Sequence, residues 1–339
     1  MLRVIALTLA VCLITAPATL GATPGSYGDQ LGAHSMIYLN SPPAEQEAAF
    51  ATTAAAGLRY LRMDYALGQV YPQGRVDFSA VDRVNALAAA YGVDVLGVVT
   101  TTPWYITACP GGATDHLDRC APAPRYRARW RRMVARLAQR ASNVRFWELG
   151  NEPDIGFGFV GPPSDYASWA GLAAEGIRAA RPDATIVIGG FARVDGTYIK
   201  AALRDKKRPL IDRVDVANIH LRGTVRGVRA AFKRTQAIYR RAGFAGPLWV
   251  TETGYPSRPE QQTQPGYQDG PRGQARWLRR ALRAQIDLGA GAVFVTLRDN
   301  HEFPATSPFS SEGIVTWPDA RPKPAFRAVQ RLAATARSR

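Results

Sequence analysis

From residue 31 onward the chain alternates short apolar runs with amphipathic stretches, and the alternation repeats eight times. The apolar runs fall at 33–38, 60–63, 93–100, 144–149, 185–189, 214–219, 248–251 and 292–296. Several are unbroken runs of Val, Ile and Leu, as parallel strands buried on both faces require. Helical patterns lie near 45–56, 79–91, 127–141, 164–180, 225–242, 273–288 and 324–335, with a shorter one at 198–203. Ser79 stands where it can cap the second of these, with Asp82 three residues on and Gly92 to stop it. Repeated βα units predict an α/β protein with a parallel sheet. Eight such units, with no linker and no shift in composition, predict a single (β/α)8 TIM barrel over 23–339, because an open doubly wound sheet usually has fewer strands.

Ahead of the barrel, Met1-Leu2-Arg3 and an apolar run over 4–14 lead into small residues at Ala16-Pro17-Ala18 and Gly21-Ala22. This is the layout of a signal peptide over 1–22. The run is too short to span a bilayer. Attachment through Cys12 fits poorly, since apolar residues continue past it. No later segment is long and apolar enough to cross a membrane, so the mature chain is expected to be soluble and either secreted or in the cell envelope. Cys12 leaves with the signal. Cys109 and Cys120 flank a Gly/Pro-rich loop, and in an exported protein such a pair is expected to form a disulfide, the alternative being two buried thiols. With only His116 between them they fall short of a zinc site.

A formal charge of +16 favours an anionic partner through attraction over the whole surface. The charge is nearly all Arg and is scattered over every helical stretch, with no aromatic-interleaved basic stripe. That pattern reads as general Arg enrichment rather than nucleic-acid binding, and leaves an acidic polysaccharide open as a partner. At 46% hydrophobic and 21% charged residues, the chain has a globular composition.

In barrels of this kind active sites lie at the C-terminal ends of the strands. Polar residues gather there: Arg62 and Asp64, Thr101 and Trp104, Asn151 and Glu152, His220, Glu252, then Asp299 and Asn300. The opposite ends carry nothing comparable. Glu152 ends the fourth strand in Glu148-Leu149-Gly150-Asn151-Glu152-Pro153, and Glu252 ends the seventh in Val250-Thr251-Glu252-Thr253. Strands four and seven face each other across a barrel mouth, so the two carboxyls can share one substrate. Cleavage of a glycosidic bond needs such a pair, one to protonate the leaving oxygen and one to stabilise or attack the anomeric carbon.

These segments resemble the clan A glycoside hydrolases, marked by Asn-Glu-Pro after strand four and a glutamate after strand seven. Arg62-Met63-Asp64, Thr102-Pro103-Trp104 and Gly313-Ile314-Val315 also match, and the layout is most similar to family 39, with family 5 next. The resemblance implies a secreted retaining glycosidase acting on a polysaccharide or oligosaccharide without metal or organic cofactor. Glu152 would be the acid/base, needing a raised pKa, and Glu252 the ionised nucleophile. Arg62 would hold Glu252, unless it is an interior partner of Glu148, which shares the strand face of Glu152 and reads as a structural carboxylate. Asn151 would bond the hydroxyl beside the reacting carbon, and His220 matches a histidine at the end of strand six. Trp104 and Tyr255, just beyond strand ends, are the expected sugar platforms, with Tyr105 and Trp317 behind them and Trp147 expected to pack against a helix.

Two departures stand out. The family's His-x-Tyr after strand six reads His220-Leu221-Arg222, and strand eight lacks the family's Trp, reading Thr296-Leu297-Arg298-Asp299. Arg222 and Arg298 at these places suggest contact with a carboxylate on an acidic sugar. The departures also sustain an alternative, a carbohydrate-binding barrel without turnover. A metal-dependent hydrolase using His34, His220, Glu252 and Asp299 has no recognised ligand spacing behind it.

Overall fold

The computed structural model describes residues 25–109 and 117–337. The signal peptide expected at 1–22 lies outside the described residues. The strands are β1 Leu31–Tyr38, β2 Tyr60–Ala66, β3 Asp94–Thr100, β4 Val144–Asn151, β5 Thr185–Gly190, β6 Ala217–His220, β7 Leu248–Thr253 and β8 Ala290–Thr296. All pairings are parallel; neighbours follow chain order from β1 to β5 and from β6 to β8, and β8 returns to pair with β1. Between β5 and β6 the described residues contain one bridge, Val187 with Val216. There Ile188 N–H donates to Val216 O at 3.0 Å and Val216 N–H to Ile186 O at 3.1 Å. The sheet therefore closes into the (β/α)8 barrel that the eight-fold alternation predicts, most lightly stitched at this seam.

β6 begins later than the 214–219 run suggests. Asp215 and Val216 both turn their N–H groups toward Ile186 O, so the ladder with β7 starts only at Ala217. The outer layer is α1 Pro43–Ala55, α2 Leu67–Val70, α3 Ser79–Tyr91, α4 Arg127–Arg140, α5 Pro163–Ala180, α6 Gly196–Leu203, α7 Val225–Arg241, α8 Gly270–Asp287 and α9 Pro324–Ala333. α2 is a single turn with no signal of its own in the sequence. Ser79 does not cap α3 but is its first residue: Phe78 takes the cap position, and Asp77 Oδ1 accepts the Ser79 N–H at 2.9 Å. Gly92 ends α3 at φ 61°, a left-handed conformation that glycine adopts without penalty.

Between sheet and helices lies the main core, where Trp130, Trp147 and Trp277 are fully buried. A side chain of that size contributes about 1.5–3 kcal/mol on burial. Trp147 packs at 5.3 Å from Tyr65 rather than reaching the mouth. A second, smaller cluster of Tyr60, Leu96, Val187, Trp249 and Phe294 fills the barrel interior, with the Tyr60 ring 5.4 Å from Phe146 and 5.6 Å from Trp249. Tyr60 and Trp249 sit at the starts of their strands, so this plug occupies the N-terminal end and leaves the C-terminal ends to polar residues. Among the described residues no helix is long and apolar enough to cross a membrane. Cys109 and Cys120 form a disulfide.

Candidate active site

The site is built on Glu148, an inward-facing residue of β4 with no solvent exposure. A carboxylate so placed must be fully bonded. Arg62 from β2 donates to it through Nε at 2.8 Å and Nη2 at 2.9 Å. Gly190 N–H and the Thr251 hydroxyl add donors at 3.0 and 3.3 Å. The same guanidinium reaches Glu252 Oε1 from Nη1 at 3.0 Å and Asn151 Oδ1 from Nη2 at 2.8 Å. Arg62 is thus both the interior partner of Glu148 and a partner of Glu252. Its bond to Asn151 Oδ1 orients that amide and leaves the Asn151 NH2 group facing outward for another acceptor.

Glu252, on β7, has a second guanidinium on its other oxygen: Arg222 Nη2 donates to Oε2 at 3.1 Å. Burial opposes ionisation of Glu252, but the positive charge that the His220 and His34 rings can carry when protonated, together with that of Arg62 and Arg222, holds it well below the usual carboxylate range. Burial in turn drives His34 down to about 3, so near neutral pH that ring is uncharged. The two guanidiniums then carry much of the stabilising charge.

Glu152 follows the last residue of β4 with φ 44°, a left-handed conformation that costs a side-chain-bearing residue of order 1–3 kcal/mol. Its N–H donates to Gly190 O at 2.9 Å, which fixes the kink. The kink turns its carboxylate to His220, whose Nδ1 lies 2.9 Å from Glu152 Oε1. His220 Nε2 lies 3.1 Å from the Thr251 hydroxyl, which itself faces Asn218 Oδ1 at 3.0 Å. The ring fits because residue 190 is glycine: a Cβ there would overlap His220 Nε2. Among the described residues no lysine or arginine forms an ion pair with Glu152. One oxygen each of Glu152 and Glu252, with a His220 nitrogen, lie within 4.8 Å of one another.

Three further acidic or basic groups belong to this site. Glu312, 3% exposed in the loop after β8, accepts from Arg222 Nε at 3.1 Å, and burial pushes its carboxyl up against the pull of Arg222. His34 Nε2 lies 2.9 Å from the Thr296 hydroxyl. Burial also pushes Asp64 on β2 up to about 6, with Arg62 opposing. Glu312 was not singled out in the sequence. The signal for it was Arg222: a half-buried cation just past a strand end that already faces one carboxylate is well placed to draw a second.

The glutamates open into a cleft of about 650 Å³. Its rim carries Phe157, Phe303 and Phe309, three large apolar side chains left exposed. The platform expected at Tyr255 is corrected by its burial: it is 5% exposed and its ring stacks on Trp277 at 5.1 Å. Trp104 is 61% exposed but borders a neighbouring hollow with Gln69 and Asp118, apart from the glutamates. Tyr105 donates its hydroxyl to Tyr71 O, and the Trp317 ring stacks on His301 at 4.4 Å. Arg222 and Arg298 both line the cleft, and each already has carboxylate partners within the protein. Arg222 is shared by Glu252 and Glu312, and Arg298 pairs with Glu45 at 2.9 Å. The four-ligand metal set is not assembled, since Asp299 is held by Lys323 and His34 by Thr296. Glu152, His220 and Glu252 are close enough to offer three ligand atoms, but two guanidiniums already sit on Glu252, where a metal cation would meet like charge.

The sequence matches no protein-family model and no curated protein. Its fold is similar to that of a family 39 glycoside hydrolase from the gut symbiont Bacteroides cellulosilyticus WH2, with TM-score 0.68 and 18% identity over 91% of this chain and 64% of that one. This chain therefore spans under two thirds of that protein's length. It is also similar to a GH5_18 protein from Streptomyces cattleya solved in complex with GlcNAc (TM-score 0.63, 17% identity, 90% of this chain and 80% of that one). A family 30 subfamily 8 xylanase from Clostridium acetobutylicum gives TM-score 0.59 and 13% identity, over 90% of this chain and 70% of that one. The likeness is one of fold: the (β/α)8 barrel of this chain is similar to the barrels of these glycoside hydrolases.

Proposed function

We propose that this protein is an exported retaining glycoside hydrolase acting on a polysaccharide or oligosaccharide, with Glu252 as nucleophile and Glu152 as acid/base. The carrying observation is the spacing of the two carboxylates, whose nearer oxygens lie within 4.8 Å. Carboxyls about 5–5.5 Å apart suit double displacement, whereas inversion needs roughly 6.5–9.5 Å to admit a water. Glu252 attacks the anomeric carbon as the glycosidic C–O bond breaks, and the departing oxygen takes the Glu152 proton. The Glu152 carboxylate then draws a proton from water, whose oxygen displaces Glu252 and restores the original configuration. The Thr251 hydroxyl faces two acceptors, Glu148 and Asn218, so its proton goes to one of them and it accepts from His220 Nε2–H. That leaves Nδ1 of a neutral His220 to accept from a protonated Glu152, the state the first step requires. Asn151, held by Arg62, would bond the hydroxyl next to the reacting carbon. Export is supported by the apolar leader pattern and by the Cys109–Cys120 disulfide, which persists in oxidising compartments.

One observation favours the rival reading of a glycan-binding barrel without turnover. Both oxygens of Glu252 are engaged by guanidiniums, which blunts a nucleophile. Reducing-sugar release from a panel of neutral and acidic glycans, compared between wild type and Glu252→Ala, decides between the two. Hydrolysis predicts release that vanishes in the variant; the rival predicts tight binding to one glycan with no release from any.

A further inference from the structure

Arg222 sits in a three-sided clamp. Its Nε faces Glu312 Oε1 and Oε2 at 3.3 and 3.1 Å, its Nη2 reaches Glu252 Oε2 at 3.1 Å, and the plane lies 4.9 Å from the centre of the Phe309 ring. Glu312 is fixed in turn by the Thr296 hydroxyl at 3.4 Å. Room for it exists because residue 254, two past Glu252, is glycine: a Cβ there would overlap the Glu312 carboxyl. The arrangement repeats the one on the opposite oxygen, where Arg62 keeps Glu148 and lends Nη1 to Glu252. Each guanidinium thus has a carboxylate of its own and shares Glu252 with the other.

We propose that Arg222 and Glu312 are a second positioning pair for Glu252, standing where the resembled family carries a neutral tyrosine, and that they set the pH range over which Glu252 stays ionised. The proposal rests on the reading of Glu252 as the nucleophile. When Glu252 becomes an ester in the glycosyl-enzyme, its negative charge is lost. A half-buried Arg222 with no other counter-charge would then be left beside an uncharged ester, losing the partner that holds it over the nucleophile. Glu312 supplies that counter-charge and keeps the guanidinium in place for the second half of the reaction. The charges facing Glu252 are His34 from β1, Arg62 and Asp64 from β2, Glu148 and Glu152 from β4 and its end, His220 and Arg222 from β6 and its loop, and Glu312 from the loop after β8. Of these, Arg222 and Glu312 have opposite signs, so removing each moves Glu252 in an opposite direction.

The test is a titration of the full-length protein labelled with 13C at the glutamate side-chain carboxyl, the Glu252 signal being assigned by its loss in Glu252→Gln. Arg222→Met should raise the Glu252 midpoint by about one pH unit or more, as expected for losing a cation in contact. Arg222→Lys keeps the charge and should stay near wild type, and Glu312→Gln should lower the midpoint. A residue that merely props the loop would shift both variants the same way or neither, and that result overturns the proposal. Should Arg222→Met not fold, Arg222→Tyr restores a phenol of the family's kind at this place and is read identically. The titration needs no turnover: opposite shifts without sugar release from any glycan would sink the hydrolase reading alone, and release without the shifts would sink the pair alone.

Discussion

The guanidinium of Arg62 holds the fully buried carboxylate of Glu148 through two bonds, at 2.8 and 2.9 Å. Arg62→Met would leave Glu148 charged and unpaired in the barrel, at a cost of roughly 3–5 kcal/mol. The double variant Arg62→Met/Glu148→Leu should recover most of that loss, since apolar replacement of a whole buried pair is often neutral. Urea denaturation reads both. Neither variant should show turnover, because Glu252 and Asn151 lose their partner as well. Recovery of activity along with stability would remove Arg62 from the site's machinery.

Glu152→Gln should lower kcat by roughly 10²–10⁴ on a glycoside whose leaving group needs a proton. On an activated aryl glycoside, whose leaving group departs unprotonated, the first step should be nearly unaffected. Burst kinetics on the two substrates separate these effects. An equal loss on both would argue against Glu152 as the acid.

Gly190→Ala adds a methyl where the His220 ring lies. The ring should be driven off Thr251 and Glu152, which unpins the proposed acid/base without altering either glutamate. Activity should fall on substrates that need acid assistance, with thermal stability reduced as well. A crystal structure of the variant with His220 unmoved would contradict this account.

Burial brings His34 to about 3, well under the 6.5 or so of an unfolded chain. Between those values the unfolded chain binds a proton that the folded one refuses, so His34 makes stability fall as pH drops from about 6.5 toward 3. His34→Gln keeps a side-chain N–H for the Thr296 hydroxyl and does not titrate. Its denaturation midpoint should therefore decline less than wild type between pH 7 and 4.5. Parallel declines would place the acid sensitivity elsewhere.

The strand and helix periodicity carried the barrel, because each unit announces itself within a short window of sequence. It also placed Glu152 and Glu252 at facing strand ends. What it could not carry were contacts made only when the barrel closes. Glu312 lies in a long loop without periodicity, and only closure sets it on Arg222. Tyr255 sits just past β7, as a platform would, yet the chain folds it back beneath α8, where Trp277 covers it. The late start of β6 has the same origin, since Asp215 and Val216 spend their N–H groups on β5 rather than on β7. The exposed phenylalanines of the rim read in sequence like any core residue.

The lightly stitched joint between β5 and β6 runs beside Glu152. Glu152 hangs from Gly190 on the β5 side, while His220 belongs to β6 and donates its N–H across to Phe191. Breathing of the barrel should begin at this joint, and the amides of Glu152 and His220 should then exchange with deuterated water ahead of those in β2, β3 and β7. Heating would part Glu152 from His220 while the rest of the barrel still stands, so the proposed hydrolysis should cease some degrees before the barrel melts.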